Sequence, residues 1–121
     1  MKKILIVEDD PFILDITSLK LVEHGYTVIT AVDGEKALLL LQNERPDVVL
    51  LDLELPSVSG FDVLSHIKTS KELKDLVVII FSNNSNEEIK KKMIKIGAAD
   101  FFVKVQTDYK KLFSVIDSVK A

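Results

Sequence analysis

Four apolar, β-branched runs in this chain end directly on polar residues that could act together. Ile4–Val7 runs into Glu8-Asp9-Asp10, Val48–Leu51 into Asp52, Val77–Phe81 into Ser82-Asn83-Asn84, and Phe101–Val103 into Lys104. Ligands of open α/β sheets bind outside the carboxyl ends of the strands, so these residues would converge on one rim if the runs are parallel strands of one sheet. Carboxylates crowded at one point repel each other, and a hard divalent cation held by oxygen ligands relieves that repulsion. Mg2+ is the natural candidate, because it takes one or two carboxylates with waters and a phosphate oxygen, whereas the spaced acidic loop that binds Ca2+ is absent. Lys104 and the Ser82 hydroxyl would supply the positive charge and the donor that a phosphoryl group's peripheral oxygens require. The set reads as phosphoryl chemistry on a carboxylate. Asp10 stands apart, since its place before Pro11 is better explained as the cap of the following helix.

The elements that must position these residues follow from the same pattern. A fifth run, Thr27–Ala31, is more polar and suits a sheet edge; the others are continuous rather than alternating, as strands buried on both faces are. Helical stretches lie between them. Asp10-Pro11 offers an N-cap followed by proline at the first helical position, and Asn86 before Glu87 and Glu88 suits another helix start. Gly25, Pro46 and Gly97 end three helices shortly before the next strand. Apolar spacing at Ile89/Met93/Ile96 and at Tyr109/Leu112/Phe113/Ile116/Val119 predicts one core-facing stripe each. The first helix differs, with Phe12, Ile16 and Leu19 on one side and Leu14 and Leu21 nearly opposite. Burial of most of its circumference is expected; the alternative is a docking face for a kinase, tested at exposed members of Leu14 and Leu21. The order (βα)5 with right-handed crossovers predicts an α/β fold, a doubly wound three-layer sandwich on a parallel five-stranded sheet in order 2-1-3-4-5.

Composition removes several other classes. The chain has 121 residues, 47% hydrophobic and 29% charged, which is the material of one folded domain. It has no cysteine, which excludes disulfide scaffolds, thiol nucleophiles and Cys-zinc sites and fits a reducing cytoplasm. The longest apolar run, Leu76–Phe81, is six residues, far from the length that crosses a bilayer, and Ile4–Val7 is too short for a signal segment, so no membrane role is expected. A net charge of −3 argues against direct nucleic-acid binding. Gly25, Gly34, Gly60 and Gly97 are isolated, so no glycine-rich loop cradles a nucleotide. There is no nucleophile elbow, and neither His24 nor His66 follows a strand; both suit surface or boundary positions. The runs Lys90–Lys92 and Lys110–Lys111 are expected as solvated helix faces, with a charge-complementary partner surface as the alternative.

Four segments in order, K-I-L-I-V-E-D-D-P at 3–11, V-V-L-L-D-L-E-L-P-S-V-S-G at 48–60, V-V-I-I-F-S at 77–82 and G-A-A-D-F-F-V-K at 97–104, resemble the receiver domain of bacterial two-component response regulators. The resemblance covers essentially the whole chain and implies one flavodoxin-like receiver domain over residues 1–121. It implies that Asp52 accepts a phosphoryl group from a sensor histidine kinase, a histidine phosphotransfer protein or a small phosphodonor. Glu8 and Asp9 would bind Mg2+ with Asp52, completed by the backbone carbonyl of Glu54. Lys104 would pair with the phosphoryl group, Ser82 would move to meet it, and Phe101, at the aromatic switch position, would turn inward. The fourth helix, fifth strand and fifth helix would then present a changed surface to a downstream target protein or to an effector domain absent from this chain, or support a phosphorylation-dependent homodimer. Such a chain is not an enzyme in the usual sense, since its only chemistry is its own phosphorylation and dephosphorylation.

Three departures from the family pattern carry consequences. Val105 stands where proline usually follows the lysine, which puts the family's cis peptide in question, because a non-proline cis bond costs ~2.5–4 kcal/mol. Asn83 stands where a small residue is common, and its side chain would narrow access or add a hydrogen bond. Glu54 would bring a further carboxylate near the water that attacks the phosphoryl group and slow its loss. Two rival readings stand beside the receiver. One is a pseudo-receiver that binds partners without phosphorylation, favoured by Val105 and Asn83. The other is a small phosphatase of the haloacid-dehalogenase type, whose D-x-D-x-[TV] motif is not matched by Asp52-Leu53-Glu54-Leu55-Pro56.

Overall fold

A computed structural model describes residues 2–84 and 86–120, so Met1, Ser85 and Ala121 of the expected 1–121 unit lie outside the described residues. The five apolar runs are strands: β1 (Lys3–Val7), β2 (Thr27–Ala31), β3 (Val48–Leu51), β4 (Val77–Ser82) and β5 (Asp100–Val103). Between and after them lie α1 (Pro11–Glu23), α2 (Gly34–Asn43), α3 (Gly60–Thr69), α4 (Glu87–Ile96) and α5 (Tyr109–Asp117). All neighbouring strands are parallel, in the order β2-β1-β3-β4-β5. Val7 is opposite both Ala31 and Leu51, Leu51 opposite Ile80, and Ser82 opposite Val103. The residues that follow β1, β3 and β5 therefore share one rim with Ser82.

Side-chain alternation explains why the runs are apolar throughout. Leu5, Val7, Val49, Leu51, Val78 and Ile80 pack on one side with Ala37 and Leu41 of α2, Val63 and Ile67 of α3, and Met93 of α4. Ile4, Ile6, Val48, Leu50 and Ile79 pack on the other with Leu14 and Leu21 of α1 and Leu112 and Ile116 of α5. A parallel sheet covered on both faces leaves no strand position for a polar side chain until the strand ends. β2, at the edge, buries only Ala31 fully.

The helix starts read from the sequence are present. Asp10 accepts hydrogen bonds from the Phe12 and Ile13 N–H groups, with Pro11 at the first helical position, and Asn86 accepts from Glu88 and Ile89. Asp33, Ser59 and Asp108 cap α2, α3 and α5 in the same way. Gly97 ends α4 at φ +135°, a conformation that favours glycine. The stripes on α4 and α5 are as expected, with Met93, Leu112 and Ile116 buried, although Val119 lies past the end of α5. Lys90–Lys92 and Lys110–Lys111 are exposed.

α1 departs from expectation. It does not bury most of its circumference: Leu14, Thr17 and Leu21 face the core, while Phe12 is 71% exposed and Leu19 59% exposed, with Ile16 and Val22 also exposed. Leu14 and Leu21 are therefore core residues, and the open apolar side is the one carrying Phe12. The reason is architectural: a helix in an outer layer has one face toward the sheet and one toward solvent. The chain after β5 makes a 3-10 turn over Lys104–Gln106, and among the described residues no peptide bond is cis. Among those residues, too, no helix is long and apolar enough to cross a membrane.

Candidate functional site

Each site residue is placed by the ladder that precedes it. The Glu8 N–H donates to the Ala31 carbonyl at 3.0 Å and the Asp52 N–H to the Val7 carbonyl at 3.0 Å, so both residues prolong the sheet hydrogen bonding by one step. Their side chains stand at the strand ends, where Glu8 is 3% exposed and Asp52 6%. Lys104 reaches across from the end of β5. Its ammonium donates to Asp52 Oδ2 at 3.1 Å and forms an ion pair with Glu8 Oε1. The remaining oxygens are also engaged: Asp52 Oδ1 accepts from the Glu54 N–H at 3.2 Å, and Glu8 Oε2 from the Asp10 N–H at 3.2 Å.

Asp9 is exposed, and one carboxylate oxygen from each of Glu8, Asp9 and Asp52 falls within a group no more than 4.8 Å across. These acids, Ser82, Asn83, Lys104 and Glu54 line a solvent-open cleft of about 290 Å3. Burial pushes the Glu8 carboxyl above its ordinary range, and the Asp52 charge adds to this against the hydrogen bond from Lys104. Burial also pulls Lys104 down, but its hydrogen bond to Glu8 and the charge of Asp52 outweigh that and hold the ammonium above its ordinary value. Three carboxylates facing one ammonium leave two negative charges in excess, all on hard oxygen donors. That donor set fits Mg2+.

The structure brings Glu8, Asp9, Asp52, Ser82 and Lys104 together. Ser82 is fully buried, and its Oγ accepts from the Asn84 N–H at 3.3 Å. Glu54 enters through its N–H bond to Asp52, and its exposed side chain lies at the cleft. Asp10 serves as the α1 cap. Phe101 is 6% exposed, packed in the core cluster that holds Ile80, Met93 and Ala98, so the inward position expected of the switch aromatic is the one it already occupies.

Gly60, named above only as an isolated glycine, has a structural role at the site. A Cβ at Gly60 would lie 2.0 Å from the Asp52 carbonyl oxygen, and its N–H donates to the Leu53 carbonyl at 3.0 Å. The first turn of α3 thus lies directly on the backbone that carries Asp52. The available signal was a glycine immediately after Ser59, a residue type suited to capping a helix.

A family model for the response regulator receiver domain matches residues 4–117. Protein PilH of Pseudomonas aeruginosa is 32% identical over 121 residues, covering all of this chain and 99% of that protein. The DNA-binding dual master transcriptional regulator RpaA of Synechocystis is 36% identical over 104 residues, 86% of this chain but 43% of RpaA, and the alkaline phosphatase synthesis regulator PhoP of Bacillus subtilis is 35% identical over 42% of its length. The chain thus spans less than half the length of these two transcriptional regulators. Among solved structures, response regulator TrrA from Thermotoga maritima, in complex with Mg2+-BeF, superposes with a TM-score of 0.85 at 32% identity, covering 97% of each chain. Chemotaxis protein CheY4 of Vibrio cholerae gives 0.88 at 28% identity, covering 99% of each. The rim of acids, hydroxyl and lysine, the strand order and these likenesses agree: this chain belongs to the response regulator receiver domain family.

Proposed function

We propose that this chain is a phosphorylation-driven receiver in which Asp52 accepts a phosphoryl group from a phosphohistidine on a sensor histidine kinase or a histidine phosphotransfer protein. The observation that carries this reading is the setting of Asp52: a carboxylate at the end of a central strand, open to a cleft, with an ammonium 3.1 Å away and two further carboxylates beside it. A lone pair on an Asp52 oxygen forms the new O–P bond as the donor's N–P bond breaks, and the electron pair of that bond stays on the imidazole nitrogen. Glu8, Asp9, Asp52 and the Glu54 carbonyl would hold Mg2+, which when bound offsets negative charge on the phosphoryl oxygens. Lys104 is already at Asp52 and follows the added charge, turning from the carboxylate toward a phosphoryl oxygen. Ser82 supplies a hydroxyl donor from the neighbouring strand end, and Glu54 sets a negative charge at the cleft that slows approach of hydroxide.

The added charge biases a two-state equilibrium that partners read on α4, β5 and α5. On the exposed side of α1, Phe12 and Ile16 lie beside the same cleft; with Val105 and Tyr109 they line an apolar groove that also reaches Lys104 and Asn83. It suits docking of the phosphodonor, whose histidine must approach Asp52 from that rim. The domain over 1–121 serves either a separate target protein or an effector domain on a longer chain; RpaA and PhoP are each more than twice the length of the matched segment. Reduction of the acylphosphate with borohydride after incubation with acetyl phosphate and Mg2+, followed by peptide sequencing, should place homoserine at position 52. Homoserine at another acid, or none, would overturn the assignment.

A further inference from the structure

Two residues at the cleft mouth lie outside this chemistry. Asn83 Oδ1, on the loop after β4, accepts a hydrogen bond from the backbone N–H of Val105, in the turn after β5, at 3.2 Å. Asn83 follows Ser82 and Val105 follows Lys104, so one bond ties the loop that begins directly after the hydroxyl to the turn that carries the ammonium. The Val105 side chain is 79% exposed, which leaves the backbone N–H as what this position brings to the pair. A proline there would have no donor, and an alanine at 83 no acceptor, so each residue is of use through the other. In this arrangement Ser82 is turned back on its own loop, accepting from the Asn84 N–H, while Lys104 is occupied by Glu8 and Asp52.

We propose that the Asn83–Val105 bond is a latch that holds the cleft in the resting arrangement and opposes the phosphoryl-bound one. The proposal rests on the reading of Asp52 as phosphoryl acceptor. On the receiver reading Ser82 moves to meet a group on Asp52, and that movement carries the start of the loop after β4 away from the Lys104 turn. Asn83 is the next residue and moves with it, so the bond to Val105 lengthens and its contribution stays with the resting state. Asn83 is thus a positioning residue that acts through Ser82 and Lys104. A single hydrogen bond of ordinary net strength sets that bias at about two- to tenfold.

The bond and the bias can be measured separately. Beryllofluoride with Mg2+ probes the phosphoryl-bound state, and amide exchange at Val105 followed by NMR, without either, probes the bond. Asn83→Ala removes the acceptor, Val105→Pro removes the donor, and Val105→Ala changes the side chain while keeping the donor. Asn83→Ala and Val105→Pro should each tighten beryllofluoride binding by about two- to tenfold, and the double variant no further than either alone. Val105→Ala should match wild type in beryllofluoride affinity, which involves no docked donor, and the Val105 amide should exchange faster in Asn83→Ala. Additive effects, weaker binding in Asn83→Ala, or unchanged Val105 exchange in that variant would overturn the latch. If Val105→Pro does not fold, binding and exchange in Asn83→Ala decide the matter. A wild type that binds no beryllofluoride overturns the phosphoryl reading and the bias together. Failure of the latch alone looks different, because wild type then binds and Asn83→Ala binds no tighter.

Discussion

Lys104 occupies the acids that a divalent cation would need. Its ammonium contacts both Glu8 and Asp52, and two unit charges about 4 Å apart interact by about 4 kcal/mol near a protein surface. Lys104→Met should therefore tighten Mg2+ binding by about tenfold or more, read by calorimetry, while weakening beryllofluoride binding because the phosphoryl mimic loses its cation. Unchanged Mg2+ affinity would contradict this balance. Gly60 is the opposite kind of residue, one that acts by having no side chain. Gly60→Ala must push the Asp52 backbone aside, at a cost of about 1–3 kcal/mol in urea unfolding and with slower Asp52 phosphorylation; a variant as stable and as fast as wild type would show that the contact is slack. Glu8, Asp52 and Lys104 were legible in the sequence because a strand end fixes where the next side chain stands. Gly60 was not, because its role is the close approach of two segments, and nothing in a one-dimensional pattern reports that distance.

Among the elements, α1 was the least legible. Periodicity located both of its apolar sides, but either could have faced the sheet, and only the packing of Leu14 and Leu21 against β1, β3 and α5 decides it. Leu21→Ala should cost about 2–5 kcal/mol in urea unfolding. Phe12→Ala and Leu19→Ala should stay within about 0.5 kcal/mol of wild type and slow phosphotransfer from the cognate histidine donor without changing phosphorylation by acetyl phosphate. Equal slowing with both donors would remove α1 as the docking face. A second device joins the turn between α1 and β2, and the residue before β1, to α5. Tyr26 donates to Asp117 at 2.5 Å, His24 stacks on Phe113 with centroids 4.0 Å apart, and Lys2 donates to the Ile116 carbonyl at 2.9 Å. The Tyr26 hydroxyl, then His24, holds the Asp117 carboxyl below its ordinary 3.8. A carboxyl depressed on folding adds stability that is present above that ordinary value and lost as pH falls through the folded one. Tyr26→Phe should cost about 1 kcal/mol at neutral pH and move the acid unfolding transition to higher pH, as followed by circular dichroism; an unmoved acid transition would contradict the assignment.

For the molecule as a whole, the sandwich turns the ends of four of its five short strands into a single chemical rim. That architecture was readable because strands covered on both faces must be apolar until they end, as Val48–Leu51 is before Asp52 and Ile4–Val7 before Glu8. The resting contacts across the rim were not readable: nothing in the spacing of Asn83 and Val105 says that a side-chain oxygen meets a backbone N–H 22 residues away. Nor did the pattern say that Phe101 is already packed inward, since the two positions of an aromatic side chain differ in packing rather than in sequence. The central claim is that this rim serves to make an aspartyl phosphate at Asp52. The most direct test is the intact mass of the protein after incubation with acetyl phosphate or phosphoramidate, with and without Mg2+, for wild type and Asp52→Asn. The account predicts the mass of one added phosphoryl group in wild type only, dependent on Mg2+. No added mass in wild type at short times, or the same addition in Asp52→Asn, would contradict it.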